Sequence, residues 1–354
     1  MTTALYIIIG ILFFGILVGI HELGHFAAAK ACNIRVNEFS VGMGPAIFQK
    51  QRGETLYALR AVPFGGYCAM AEDDGESDDP RAFVNQKAWK KLLVLSAGSF
   101  MNFILGLIIA LLLTIGARAF AQPVIVGFAE GCPYESAEGL QVGDRFLRIN
   151  GNRIWSYSDL GEYITSEGGD YDLVIRRDGR RIRLEGFSMT PLQYEGEEGL
   201  KYGFYFGYQE ANFSSRIRYM WNTSMEWVKL VWTGLDMLFT GEAGVNDLSG
   251  PVGIVDLMAE TGEAAEDTAD AVFSLLYLGG FIAVNLAIMN MLPFPALDGG
   301  RVFLLLVTCV IEFLSGKKLN PKYEAYIHTA GMIILLALMA YVMFHDIIKV
   351  FLNG

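Results

Sequence analysis

Residues 6–25 read Tyr6-Ile7-Ile8-Ile9-Gly10-Ile11-Leu12-Phe13-Phe14-Gly15-Ile16-Leu17-Val18-Gly19-Ile20-His21-Glu22-Leu23-Gly24-His25, an apolar run that passes without a break into two histidines and a glutamate. The first 20 residues hold no Asp, Glu, Lys or Arg, and about 20 helical residues cross a hydrocarbon core of about 30 Å. A secretory leader would open on a basic segment, which this stretch lacks, so it reads as a retained span. Uncharged runs return at Leu92–Ala117, Ala271–Leu297 and Thr329–Phe344. The expected fold is a polytopic α-helical membrane protein with about four transmembrane helices.

Composition agrees. Of 354 residues, 53% are hydrophobic and 18% charged, against about 45–50% and about 25% in soluble domains. With 27 Lys plus Arg against 38 Asp plus Glu, the net charge is −11, which argues against a nucleic-acid partner and leaves the lipid bilayer as the expected surroundings. The four cysteines, Cys32, Cys68, Cys132 and Cys309, form no C-x-x-C pair, so neither a disulfide framework nor a thiolate zinc site is implied.

Charge placement orients the chain. Lys30 to Lys91 holds nine Lys or Arg, whereas nothing basic precedes the first span, so this loop is expected in the cytoplasm. The acidic patch Glu72, Asp73, Asp74, Glu76, Asp78 and Asp79 does not reverse this, because acidic residues contribute little to orientation. Residues from about Gln122 to Asp270 then fall outside, and the connector with Arg301, Lys317, Lys318 and Lys322 falls inside. Within the outer region, Val124–Phe128, Arg145–Ile149, Asp172–Ile175 and Arg181–Leu184 read as short strands, with turns at Asn150-Gly151 and Asp178-Gly179. Ile217, Met220, Trp221, Val228, Val231, Leu235 and Leu238 recur at helical spacing, and Trp221, Trp227 and Trp232 share that segment. An amphipathic helix at the membrane interface and a helix packed on its own domain both fit this pattern. The resulting division is 1–121 and 271–354 as two halves of a membrane core, 122–191 as a β-rich domain and 192–270 as an amphipathic linker.

His21-Glu22-Leu23-Gly24-His25 has the H-E-x-x-H form. Residues i and i+4 of a helix share one face about 5–6 Å apart, so both imidazoles can ligate one Zn²⁺ while the glutamate reaches its water. Ionisable groups inside a span cost about 2.5–3.5 kcal/mol each on insertion scales, and a metal compensates that cost for three placed together. A catalytic zinc takes a third protein ligand. Asp298 is the one carboxylate in the third apolar run and its continuation, within Asn290-Met291-Leu292-Pro293-Phe294-Pro295-Ala296-Leu297-Asp298-Gly299-Gly300. Prolines and glycines break the helix there, and irregular backbone at membrane depth is tolerated only against protein or a cavity. His328 and His345 lack a companion ligand at i+3 or i+4 and read as packing or interface residues.

These motifs together resemble the site-2 protease family of intramembrane zinc metalloproteases, in the bacterial branch that includes the regulator of sigma-E protease. The resemblance extends through Phe39-Ser40-Val41-Gly42-Met43-Gly44-Pro45, Pro63-Phe64-Gly65-Gly66-Tyr67, Ala97-Gly98 with Asn102, and Ser249-Gly250-Pro251-Val252-Gly253-Ile254. It implies one zinc per chain on His21, His25 and Asp298, with Glu22 as general base and Asn290 engaging substrate. Thr55–Met70 resembles the family's membrane-associated β-hairpin, whose Leu59, Val62 and Gly66 would line an unwound substrate strand. Pro133 to Asp144, followed by Ile149-Asn150-Gly151, is similar to a PDZ domain, present once and expected on the extracytoplasmic side of a bacterial cytoplasmic (inner) membrane. The implied substrates are single-pass membrane proteins, such as a trimmed anti-sigma factor or remnant signal peptides. Two other classes fit parts of the pattern. A non-proteolytic scaffold has no need of Glu22 between two histidines, and a CaaX-type membrane zincin takes its third ligand from a downstream glutamate.

Overall fold

The computed structural model describes residues 3–71, 77–195, 199–244, 250–316 and 321–353. Glu72, Asp73, Asp74 and Glu76 of the acidic patch, Ser249, Lys317 and Lys318 lie outside the described residues, as do the side chains of Lys322 and His345. Two compact units emerge, residues 1–109 with 227–354, and residues 110–226.

The first unit opens with α1 (Thr3–Ala31), which ends where Asn33 turns into the left-handed region at φ 59°. Two long strands follow, β1 (Val36–Arg52) and β2 (Thr55–Met70). Their pairing is doubled back. Val36–Val41 pairs with Gly66–Met70 on one side and with Leu56–Leu59 on the other, while Ala46–Arg52 pairs with Arg60–Thr55. Gly42 and Gly44, at φ 86° and 80°, supply the bends that let one chain segment serve in two rows. Arg60 ties the hairpin internally, donating to Glu38 Oε1 at 2.6 Å, Tyr67 Oη at 2.7 Å and Ser40 Oγ at 3.0 Å.

Next in this unit is α2 (Ala88–Leu112), whose last turn enters the second unit. Between its start and α1 lies a core of Ala29, Ile34, Val36, Met70, Phe83, Val94 and Leu95.

In the second unit a sheet runs in the order β10-β3-β4-β6-β7, with β5 on β4. The strands are β3 (Ala119–Phe128), β4 (Arg145–Ile149), β5 (Asn152–Arg153), β6 (Gly169–Arg177), β7 (Arg180–Met189) and, after the small pair β8 (Leu192–Gln193) and β9 (Leu200–Lys201), β10 (Phe204–Glu210). The short helix α3 (Ser158–Tyr163) lies between β5 and β6. All four expected strand runs fall within β3, β4, β6 and β7. Both turn signals place two consecutive residues at positive φ: Asn150 and Gly151 at 50° and 81°, Asp178 and Gly179 at 50° and 79°. That is the signature of tight hairpin turns that match strand twist. Ile125, Leu140, Phe146, Ile149, Leu173 and Ile175 form the core. Asp144, fully buried, is held by Arg177 through two bonds of 2.7 Å.

From this unit α4 (Phe213–Thr240) continues into the first, where α5 (Pro251–Glu263), α6 (Thr268–Asn290), α7 (Asp298–Ser315) and α8 (Pro321–Asn353) complete the chain. Proline opens α5 and α8, and Asp267 caps α6 by accepting from Asp270 N–H at 2.8 Å. Trp227 is fully buried and leaves no room for a Cβ at Gly280, whereas Trp232 is exposed. Tyr6, Leu17, Met258, Ala271, Ile282 and Ala283 form the apolar core joining α1, α5 and α6. Among the described residues, four helices are long and apolar enough to cross a bilayer: Ala4–Ala31, Ala88–Leu112, Thr268–Asn290 and Tyr326–Phe344. The chain is an integral membrane protein with added β-structure.

Candidate metal centre

His21 and His25 lie one turn apart on α1, both buried, with rings 4.7 Å apart between centroids. Asp298 is the first residue of α7, after the break that Pro293 and Pro295 impose. Its Oδ2 stands 3.0 Å from His21 Nε2 and 3.2 Å from His25 Nε2, and the two Nε2 atoms are 3.1 Å apart. Among the described residues this is the one group of His, Cys, Asp and Glu that could hold a metal ion.

The donor set fits zinc. Ligand atoms about 2.0–2.2 Å from a tetrahedral zinc stand roughly 3.3–3.6 Å from one another, close to the separations seen here. Asp298 Oδ2 is buried and receives no hydrogen bond. Three lone-pair donors facing one another at this range repel unless a proton or a metal ion lies among them.

Neighbouring groups fix how the imidazoles present themselves. His25 Nδ1 lies 2.8 Å from Val94 O on α2, and a carbonyl only accepts, so the proton sits on Nδ1 and Nε2 keeps its lone pair. His21 Nδ1 faces the buried Asn102 amide at 3.3 Å, and Asn102 Oδ1 has no other partner. Ligation through His21 Nε2 requires that amide to turn its oxygen toward Nδ1–H. Gly98, one turn before Asn102, lets α2 come this close: a Cβ there would collide with His25 Nε2 and stand 2.8 Å from His21 Nε2.

Glu22 points toward the hairpin. Its carboxylate accepts from the Cys68 backbone N–H and interacts electrostatically with His21, His25 and Asp298. A Cβ at Gly66 would lie 3.0 Å from Glu22 Cγ, so Gly66 stands directly against the glutamate. Leu59 has its backbone paired on both sides, with Val41 and Phe48, and Val62 pairs with Met43; both side chains are exposed. Asn290 is the last residue of α6 and, among the described residues, makes no hydrogen bond to the histidines or Asp298.

The Asp298 turn is held by contacts that no sequence motif marks. Ala296 adopts φ 83°, a left-handed conformation rare for a residue with a Cβ, and its N–H donates to His328 Nδ1 at 3.4 Å. One turn further along α8, Gly331 packs on Pro295, with 2.7 Å between its would-be Cβ and the Pro295 carbonyl oxygen. Gly299 and Gly300 leave no room for a Cβ beside the carbonyls of Met291 and Phe294. His328, read from the sequence as a packing or interface residue, thus braces the turn that presents Asp298.

The profile of peptidase family M50 matches residues 9–338. The chain belongs to peptidase family M50. It is a zinc-dependent metalloprotease of the site-2 protease type, set in a membrane. Relatives of this M50 peptidase cover it almost end to end. A Clostridium perfringens protein, provisionally named a zinc metalloprotease, is 34% identical over 349 residues, 97% of this chain and 99% of the relative. The regulator of sigma-W protease RasP of Bacillus subtilis is 26% identical over 426 aligned positions, 97% of this chain and 98% of the relative. A Synechocystis protein with the same provisional name is 30% identical over 357 residues, 96% of this chain and 93% of the relative.

Proposed function

We propose that this peptidase hydrolyses single-pass membrane helices at a zinc held by His21, His25 and Asp298. The observation that carries the reading is the meeting of two Nε2 atoms and one carboxylate oxygen, within 3.2 Å of one another, from two separate apolar parts of the chain. Zinc bound there supplies a Lewis acid that polarises a scissile carbonyl and brings water toward deprotonation at neutral pH. Glu22 serves as general base, taking the proton of the attacking water and later delivering it to the leaving amine. Val94 and Asn102 hold the imidazoles in the orientation that turns Nε2 toward Asp298.

A membrane helix hides its amides in internal hydrogen bonds, so it must unwind before it is cut. Among the described residues no strand pairs the outer edge of Gly66–Met70, and Cys68 N–H on that edge already meets Glu22. An unwound substrate added along this edge would pass beside the base. Leu59 and Val62 would offer apolar side chains from the same hairpin, and Asn290 a side-chain amide at the end of α6.

The functional division we propose is 1–121 and 271–354 as the catalytic membrane core, 122–191 as a PDZ-like domain outside the cytoplasm, and 192–270 as the linking segment. The setting is a bacterial cytoplasmic membrane, with the first loop inside. Trimmed anti-sigma factors are the favoured substrates, supported by the named role of the Bacillus subtilis relative in sigma-W regulation, and remnant signal peptides are the second class. The test is cleavage of a reconstituted single-pass substrate by purified enzyme. Cleavage is expected to stop with a chelator, resume with zinc and be absent in Glu22→Gln. Chelator-resistant cleavage, or an active Glu22→Gln, would end this reading.

A further inference from the structure

The sheet of the 110–226 unit carries arginines in direct register on its outward face. Arg145 on β4 pairs with Arg176 on β6, and Arg176 pairs with Arg181 on β7. The adjoining row joins Arg148 to Val174 and Val174 to Arg183. Alternation sets the β6 and β7 side chains of these rows away from the core, since Tyr171, Leu173 and Ile175 are buried while Asp172 and Arg176 are exposed, and a bulge between Phe146 and Arg148 on β4 brings Arg148 opposite Val174. Like charges directly opposite one another weaken a sheet.

Among the described residues the cluster is only partly neutralised from within, through Arg183. Arg145 donates to Gln122 Oε1 at 3.1 Å, Arg148 to Gly151 O at 2.7 Å and Arg218 of α4 to Gln209 Oε1 at 3.4 Å, all uncharged acceptors. Arg183 has an exposed ion pair with Glu185 at 3.4 Å. Among the described residues Arg176 and Arg181 have no hydrogen-bond or ion-pair partner. Burial, then the charges of Arg218 and Arg176, hold the Arg145 guanidinium pKa below its usual value. Residues 110–226 as a whole hold 12 Lys plus Arg against 16 Asp plus Glu, so the face is a local segregation of charge and not an overall basic balance.

Three features say what covers it. The arginines span three neighbouring strands, β4, β6 and β7, a spread that suits an extended surface rather than a single small anion. The segment leaves at both ends through helices of the membrane protein, α2 and α4, which keeps it near the bilayer. Its first α4 turns expose Phe213, Ile217 and Trp221 on the helix that carries Arg218, and β10 exposes Tyr208. Aromatic side chains beside arginine belong to the boundary between headgroups and hydrocarbon. We propose that this arginine face rests on the anionic phospholipid headgroups of the bilayer and so sets the orientation of the 110–226 unit.

The test uses the full-length protein in lipid nanodiscs, with native cysteines replaced and a bimane fluorophore on Val174→Cys. Lipids carrying a nitroxide at the headgroup quench the fluorophore when the face is docked. Strong quenching is expected with phosphatidylglycerol at low salt. It should fall severalfold at about 0.5 M salt, where the Debye length shrinks below about 5 Å, and in pure phosphatidylcholine. Arg176→Gln with Arg181→Gln and Arg183→Gln should lose it, and the same three sites as lysine should retain it. Should the triple glutamine variant fail to fold, Arg181→Gln alone is expected to lose about fivefold in docking. Equal quenching in both lipids, or quenching unchanged by a folded glutamine variant, would overturn the proposal. So would absence of quenching throughout, with the same variant losing affinity for an acidic peptide, which would give the face to a protein partner.

Discussion

Asp298 Oδ2 stands 3.0 Å from His21 Nε2, although the aspartate opens α7 and the histidine lies near the end of α1, with most of the chain between them. Neither end of the chain can make the centre alone. The site therefore depends on the packing that brings α1, α2, α7 and the braced turn together.

Gly98 is the tightest point of that packing. Gly98→Ala would drive a methyl group into His25 Nε2 and against His21 Nε2. Overpacking of this kind costs about 1–3 kcal/mol in stability. Here the larger effect should be on the metal, with zinc affinity and activity falling about 100-fold or more. Metal analysis of the purified variant checks this, and a full zinc complement with normal turnover would show that α2 does not constrain the histidines.

His328 should act through the Ala296 turn. His328→Leu removes the acceptor for Ala296 N–H and is expected to speed zinc loss to a chelator about 10–100-fold, the usual cost of losing an outer support. His328→Asn, which keeps an acceptor, should recover part of it. Equal release rates in wild type and His328→Leu would remove His328 from the site.

Ala296 offers a second probe of the same turn. At φ 83°, a β-branched side chain is strained further, so Ala296→Val should cost about 1–2 kcal/mol, whereas Ala296→Gly should leave stability unchanged or higher. Thermal unfolding in detergent separates the two. A variant order in which valine is the more stable would contradict the left-handed conformation.

Acid should loosen the hairpin base through Glu54. Hydrogen bonds from Arg81, then Lys30, lower its pKa from the ordinary 4.5 to about 2. A carboxylate whose folded value is depressed stabilises the fold fully above its unfolded value and loses that contribution as pH falls toward the folded one. The melting-temperature gap between wild type and Glu54→Gln should therefore be constant near neutral pH and close between about pH 4.5 and 2. A gap that persists unchanged below about pH 3 would show that this network does not support the fold.

Much of the architecture was legible because it is written in local pattern. Uncharged runs announce the spans, four-residue spacing puts His21 and His25 on one face, and Asn150-Gly151 and Asp178-Gly179 mark tight turns. What escaped depends on elements meeting. Val94 and His328 take their roles from helix packing that periodicity does not encode, and Gly98 and Asn102 could be flagged only by resemblance. β1 was hidden because Gly42, Gly44 and Pro45 break its alternation, and it is the doubled pairing with β2 that keeps it extended. β10 lies in a stretch read from the sequence only as a linking segment, and its place at the sheet edge follows from β3.

X-ray absorption at the zinc edge, on purified wild type and Asp298→Ala, bears most directly on the metal centre. One zinc per chain bound by two imidazole nitrogens and a carboxylate oxygen is expected in the wild type, with the oxygen contribution and most of the metal lost in the variant. A zinc environment unchanged by removal of Asp298 would contradict the assignment of the third ligand and, with it, the joining of the two membrane halves through the metal.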